Sequence, residues 1–139
     1  LIEEKFRVQF EGGYPPLDGI MDRVTEDEAV EDDKFVSKSP SEDDALTDVQ
    51  LTAYHLGYRT KFGKEPKALR KRFAIATKTP KTTMREAPPR GQDQLDRFLF
   101  RLEAGMKAIE SGIFVPCANT WWGCDKKWCG YFSVCKYHV

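Results

Sequence analysis

The chain is 139 residues long with 22 Lys/Arg and 22 Asp/Glu, a formal net charge of zero. That length bounds it to about one domain, and 40% hydrophobic residues are enough for a core, which excludes a disordered chain. No apolar run is long enough for a membrane span, and the opening Leu-Ile-Glu-Glu-Lys is unlike a signal peptide.

Lys5 to Phe10 alternates, with Phe6, Val8 and Phe10 on one side, and predicts a strand. After the Gly12-Gly13-Tyr14-Pro15-Pro16 turn, Leu17 to Val24 reads as a second strand, with Ile20 and Asp22 sharing a face opposite Gly19, Met21 and Arg23. Ala29 to Val36 is a third, with Val30, Asp32 and Lys34 on one face. Ser39-Pro40-Ser41 then ends the meander and starts a helix, with Ser41 as N-cap and a core seam of Leu46, Val49, Ala53 and Leu56 closed by Gly63. A strand over Ala68–Thr77 follows, burying Phe73 and Ile75, and then an edge strand over Thr82–Ala87. A second helix spans Gln92–Ser111, with Leu95, Phe98, Leu99, Leu102, Met106 and Ile109 on its buried face. The order βββ-α-β-β-α indicates an α/β or α+β layered domain over residues 1–112, followed by a Cys- and Trp-rich tail over 113–139.

The zero net charge is a cancellation. Residues 1–50 hold 5 Lys/Arg against 15 Asp/Glu, whereas residues 59–90 hold 11 Lys/Arg with only Glu65 and Glu86 as acids. Two solvated faces would look like this, and so would a cation site beside an anion-binding surface.

Two strands carry acids where apolar residues are expected. If the strands are neighbours, Asp22 and Asp32 face each other, and two close carboxylates repel unless a cation lies between them. Oxygen ligands of this kind suit Mg²⁺. Period two points Lys34 the same way as Asp32, where an ammonium would orient a metal-bound water or hold a phosphate. Acid-x-Lys also occurs at Glu3/Lys5, Glu65/Lys67 and Asp125/Lys127, but only Asp32/Lys34 lies on a central strand preceded by a strand bearing an acid. The alternative is a surface ion pair. Gln50 and Tyr54, four residues apart, stack on one helix face.

In this order, Gly19-Ile20-Met21-Asp22-Arg23-Val24, Asp32-Asp33-Lys34 and Gln50-Leu51-Thr52-Ala53-Tyr54 resemble the RecB-type branch of the PD-(D/E)xK nucleases. The resemblance implies a restriction-endonuclease-like core, a mixed central sheet flanked by helices, and a metal-dependent DNA nuclease, most simply an exonuclease of the phage type. It implies Mg²⁺ or Mn²⁺ held by Asp22, Asp32 and the backbone carbonyl of Asp33. Lys34 would act on water and phosphate, and Gln50 and Tyr54 would place the nucleic-acid strand. The branch usually has an aromatic or aliphatic residue at the position of Asp33. An acid there points to the opposite sheet face and must be solvated or paired. The family's core opens with a helix that can supply a further ligand. This chain begins at the first strand, so the first core helix is expected to be missing from it; a complete chain would then lack that ligand, and a fragment would have it upstream of Leu1. Lys64, Lys67, Arg70, Arg72, Lys78 and Lys81 are the expected phosphate contacts.

Cys117, Cys124, Cys129 and Cys135 fall within nineteen residues together with Trp121, Trp122 and Trp128. Clustered thiols without a secretion signal suggest Cys₄ zinc or an iron–sulfur cluster, with buried thiols as the plain alternative. Members of the branch close the domain with a [4Fe–4S] cluster on three C-terminal Cys and one upstream Cys. Cys124, Cys129 and Cys135 resemble the C-terminal part, with Cys117 or a residue upstream of Leu1 as the fourth. The implied partner is DNA, with no membrane, in the cytoplasm of a bacterial or phage-infected cell. The competing readings are a non-catalytic DNA-binding or assembly subunit stabilised by zinc or a cluster, and a zinc-stabilised protein-interaction module.

Overall fold

The computed structural model describes residues 1–113, 117, 121–135 and 137. It divides into two compact units, Leu1–Glu103 and Ala104–Val139.

The first unit is a five-stranded mixed sheet in sequence order: β1 (Ile2–Val8), β2 (Leu17–Val24), β3 (Ala29–Val36), β4 (Ala68–Ile75) and β5 (Lys81–Ala87). Neighbours are antiparallel except β3 and β4, which run parallel with Asp32 opposite Lys71 and Lys34 opposite Phe73. A parallel pair needs a crossover. Helix α1 (Val49–Phe62) supplies it, and α2 (Gln92–Glu110) follows β5. This is the α+β layer structure expected from the sequence, and the bounds of β2 and β3 agree with it residue for residue. β1 instead starts and ends earlier, at Ile2 and Val8. Among the described residues, no helix is long and apolar enough to cross a membrane.

α1 starts at Val49, not at Ser41. Asp48 is its N-cap, accepting from Leu51 N at 2.8 Å, while residues 42–47 form turns. The expected seam is therefore rotated. Val49 and Leu46 are exposed, and the buried face is Leu51, Tyr54, His55, Leu56 and Tyr58. Gly63 ends the helix with φ 69°, a left-handed conformation that glycine adopts without strain, and returns its N–H to Arg59 O at 2.9 Å.

The face of the sheet that meets α1 holds Phe6, Met21, Val24, Val30 and Leu69. The ring of Phe6 is clasped between Gly19 of β2 and Gly57 of α1, where a Cβ on either glycine would collide with it. Alternation in β2 breaks at Met21–Asp22. Met21 is wholly buried in the core, yet Asp22 also reaches α1, and Ile20 is left 48% exposed. The predicted Ile20/Asp22 face is thus corrected. Glu3, which faces Asp22 in this register, takes φ 54°, a strained conformation for a residue with a side chain.

Only Leu95 of α2 is buried. Phe98 and Leu99 pack partly against the core, Leu102 and Met106 are half-buried, and Ile109 is exposed, so Ile109 departs from the predicted buried face.

Candidate active site

β2, β3 and the first two turns of α1 bring Asp22, Asp32, Lys34, Gln50 and Tyr54 into one hydrogen-bonded chain. Lys34 Nζ donates to Asp32 Oδ1 at 2.9 Å and to Gln50 Oε1 at 2.8 Å. Gln50 Nε2 donates to Tyr54 Oη at 2.8 Å, and Tyr54 Oη donates to Asp22 Oδ1 at 3.2 Å. The second oxygen of Asp22 accepts from the backbone N–H of Asp33 at 3.0 Å. The i, i+4 spacing of Gln50 and Tyr54 on α1 lets one side chain hold the lysine and the other the first carboxylate.

Asp32 is fully buried, and its Oδ2 has no hydrogen-bond partner. Burial pushes its carboxyl pKa up. The hydrogen bond and charge of Lys34 oppose this, and the negative charges of Asp22 and Asp48 add to it. Burial also raises the Tyr54 phenol to about 12, with the Gln50 hydrogen bond opposing and the charges of Asp22 and Asp32 assisting. A buried carboxylate oxygen without a partner costs roughly 1–3 kcal/mol or more, so its environment calls for a cation. A hard divalent ion taking oxygen ligands and retaining waters fits two carboxylates of this kind. Among the described residues, no three His, Cys, Asp or Glu side chains group closely enough to form a metal centre by themselves.

Asp33 lies on the opposite sheet face, as alternation requires. There it is paired with Arg23 at 3.0 Å and Arg72 at 3.8 Å.

Sequence reasoning missed the support behind this chain. Lys71 is buried on β4 and binds Asp44 at 2.5 Å and Asp48 at 2.7 Å, while its ammonium lies 5.6 Å from the Phe73 ring centre. Asp48 thus caps α1 and anchors the helix start to the sheet. Burial favours its protonated form, but Lys71 and the Leu51 N–H outweigh this and hold its pKa down. Behind Tyr54, the buried His55 accepts the Arg90 backbone N–H on Nδ1 at 3.0 Å and pairs through Nε2 with Glu65. That arrangement fixes the tautomer with hydrogen on Nε2. The signal for Asp48 was the Asp-x-x-Leu start of the real helix, which the earlier Ser41 obscured.

The basic segment is mostly committed to ion pairs. Lys64 and Lys67 bind Glu28. Arg70 binds Asp27, Glu31 and Glu86, and Arg72 binds Glu31 and Asp33. Arg59, Lys61, Lys71 and Arg85 also hold carboxylates, and Arg90 is buried against Thr52 Oγ1 and the Ala45 carbonyl. Lys64, Lys67, Arg70 and Arg72 are thus shared with acids from neighbouring turns and strands, so phosphate contact there would exchange one anion for another. Lys78 and Lys81 carry no ion pair among the described residues and remain exposed.

In the second unit, the Cys124 thiol pKa is raised, first by a hydrogen bond with Cys117, then by burial and by the charges of Cys117, Cys129 and Cys135. Trp121 and Trp122 meet at a tilt of 46° with ring centres 5.3 Å apart, and Trp122 meets Trp128 edge-on at 5.9 Å.

A mixed five-stranded sheet with an α1 crossover between its parallel strands is a restriction-endonuclease-like fold. The family model described as PD-(D/E)XK nuclease superfamily matches residues 1–136, and the chain belongs to that superfamily. The fold is also similar to the crystal structure of a "Putative exonuclease" from Eubacterium rectale, with a TM-score of 0.56 and 15% sequence identity over 96% of this chain. The chain spans 51% of that structure's length. No curated protein matches the chain in sequence.

Proposed function

We propose that the protein is a divalent-metal-dependent deoxyribonuclease of the RecB-type branch, acting as an exonuclease. The observation that carries this reading is Asp32 Oδ2, buried and unpartnered, beside Asp22 and Lys34. Asp22, Asp32 and the carbonyl of Asp33 would hold Mg²⁺ or Mn²⁺. When bound, the ion supplies positive charge against the developing negative charge of phosphodiester hydrolysis.

The chain's own residues account for the rest. Lys34 orients the attacking water and holds the scissile phosphate. Gln50 fixes the lysine's direction through its Oε1. Tyr54 keeps Asp22 aimed and, with a pKa of about 12, remains a donor at working pH. Lys78 and Lys81 contact the phosphates of the DNA. The four thiols of the tail would hold a [4Fe–4S] cluster, with Cys₄ zinc as the other metal that suits them. What supports this is the spacing of the four cysteines within nineteen residues and the hydrogen bond between Cys117 and Cys124. Such a centre would stabilise the tail and take no part in hydrolysis. The place of action would be the cytoplasm.

The test is digestion of linear DNA with Mg²⁺ or Mn²⁺ by the parent, Asp32→Ala and Lys34→Ala. The reading requires both variants to lose activity by at least two orders of magnitude. DNA binding without cleavage by the parent would instead favour a non-catalytic binding subunit. Ultraviolet–visible absorption and metal analysis of anaerobically purified protein separate iron–sulfur from zinc.

A further inference from the structure

We infer that the end of the sheet where β3, β4 and β5 meet is a binding site for single-stranded DNA, with Phe35 as the residue on which a base stacks. This rests on the nuclease reading and adds to it the class of substrate strand and a residue that positions it.

Three observations converge there. First, Phe35 is 89% exposed although it belongs to a central strand. An aromatic ring on a sheet face otherwise paved with ion pairs contributes no burial, and it does not serve the core. Second, the ring lies between two open grooves. One of about 440 Å³ is lined by Phe35, Arg72, Thr82 and Met84 with Asp33 and Lys34; Phe35 and Asp33 share the sheet face opposite the candidate site, and Lys34 borders the groove at the strand end. The other, of about 460 Å³, is lined by Phe35, Ala76, Pro80 and Lys81. Asp33, which borders the first groove, is neutralised by Arg23 and Arg72. Third, lysines without an ion pair among the described residues are gathered here. Val36 pairs with Ile75, and Ala76 N donates to Val36 O at 2.8 Å, so the two chains leave the sheet side by side. Lys38 and Lys78 follow directly. Lys81 begins β5 opposite Ile75. All three lysines are exposed and hold no ion pair among the described residues.

An exposed aromatic flanked by unpaired lysines matches a strand whose bases are free to unstack. Base stacking on an aromatic tolerates any sequence, and lysines track the phosphates. Duplex DNA keeps its bases stacked inside and offers Phe35 nothing comparable.

The experiment measures fluorescence anisotropy of labelled oligo(dT) and of a blunt duplex of equal length with the full chain in EDTA, where no cleavage intervenes. The parent is expected to prefer the single strand. Phe35→Ala should weaken that binding roughly 5- to 100-fold, with its melting temperature unchanged because the ring is at the surface, and Phe35→Trp should restore it. Lys78→Gln with Lys81→Gln should reduce the slope of log K against log salt by about 1.4. The inference is overturned if Phe35→Ala binds oligo(dT) like the parent, or if the parent binds duplex as tightly as single strand. Cleavage in Mg²⁺ is scored separately. Phe35-dependent binding by a parent that cannot cut would sink the nuclease reading and leave this site standing. Cutting by the parent with Phe35→Ala binding unchanged would do the reverse.

Discussion

Gly57→Ala is expected to destabilise the protein, against the usual effect of that substitution. In a helix interior, alanine is favoured over glycine by about 1 kcal/mol. Here the new Cβ would stand 2.5 and 2.6 Å from the two Cδ atoms of Phe6. Those atoms lie near the root of the ring, so no swing of the side chain relieves the clash. Retreat toward β2 is blocked because the far edge of the ring already rests on Gly19. Overpacking of this kind costs up to about 3 kcal/mol. Subtracting the helical gain leaves up to about 2 kcal/mol of net destabilisation, as much as roughly 8 °C in melting temperature for a domain of this size. The same push reaches the candidate site, because Phe6 packs edge-on against Tyr54, with ring centres 6.2 Å apart, and Tyr54 holds Asp22. Thermal unfolding followed by circular dichroism measures the first effect. Phe6→Leu in the Gly57→Ala background should recover part of the loss. A Gly57→Ala protein that melts at or above the parent's temperature would show that α1 is not seated on Phe6 as described.

Other expectations follow from the same contacts. Lys71→Met leaves Asp44 and Asp48 without their cation and should cost roughly 2–4 kcal/mol, less than a fully buried pair because both acids are partly exposed; urea unfolding reads it, and an unchanged midpoint would contradict the anchoring role. Burial holds the folded His55 pKa below its ordinary value, so the unfolded chain takes up a proton first as pH falls. Stability should therefore be complete above about pH 7 and decline as pH falls below about 6.5; His55→Gln should flatten that slope between pH 7.5 and 5.5. For Tyr54, with a pKa of about 12, no inflection in a pH–rate profile below pH 10 should be lost in Tyr54→Phe, which should lower activity about equally across that range.

What the sequence disclosed depended on the range of the force concerned. Strands β2 and β3 were legible because alternation and turn residues are local. The grouping of Asp22, Asp32, Lys34, Gln50 and Tyr54 was legible as an ordered set of motifs, and the structure brings these side chains together. The start of α1 was misread because Ser41 and Asp48 are equally good caps by local chemistry. Asp48 prevails through Lys71, 23 residues away, which draws both Asp44 and Asp48 to the sheet. The pairing of the basic segment was not legible for the same reason. Composition counts Lys64, Lys67, Arg70 and Arg72 as free charge, but their acids come from the turn before β3, from β3 and from β5. Phe35 gave no signal, since an aromatic in a strand normally reads as core.

The most direct test of the central claim is calorimetric titration of Mn²⁺ into the full chain and into Asp32→Asn. The account predicts that the parent binds the ion and that Asp32→Asn loses this binding while keeping the parent's circular dichroism spectrum, because Asp32 Oδ2 is buried without a hydrogen-bond partner. Equal Mn²⁺ binding by both proteins, or none by the parent, would contradict it.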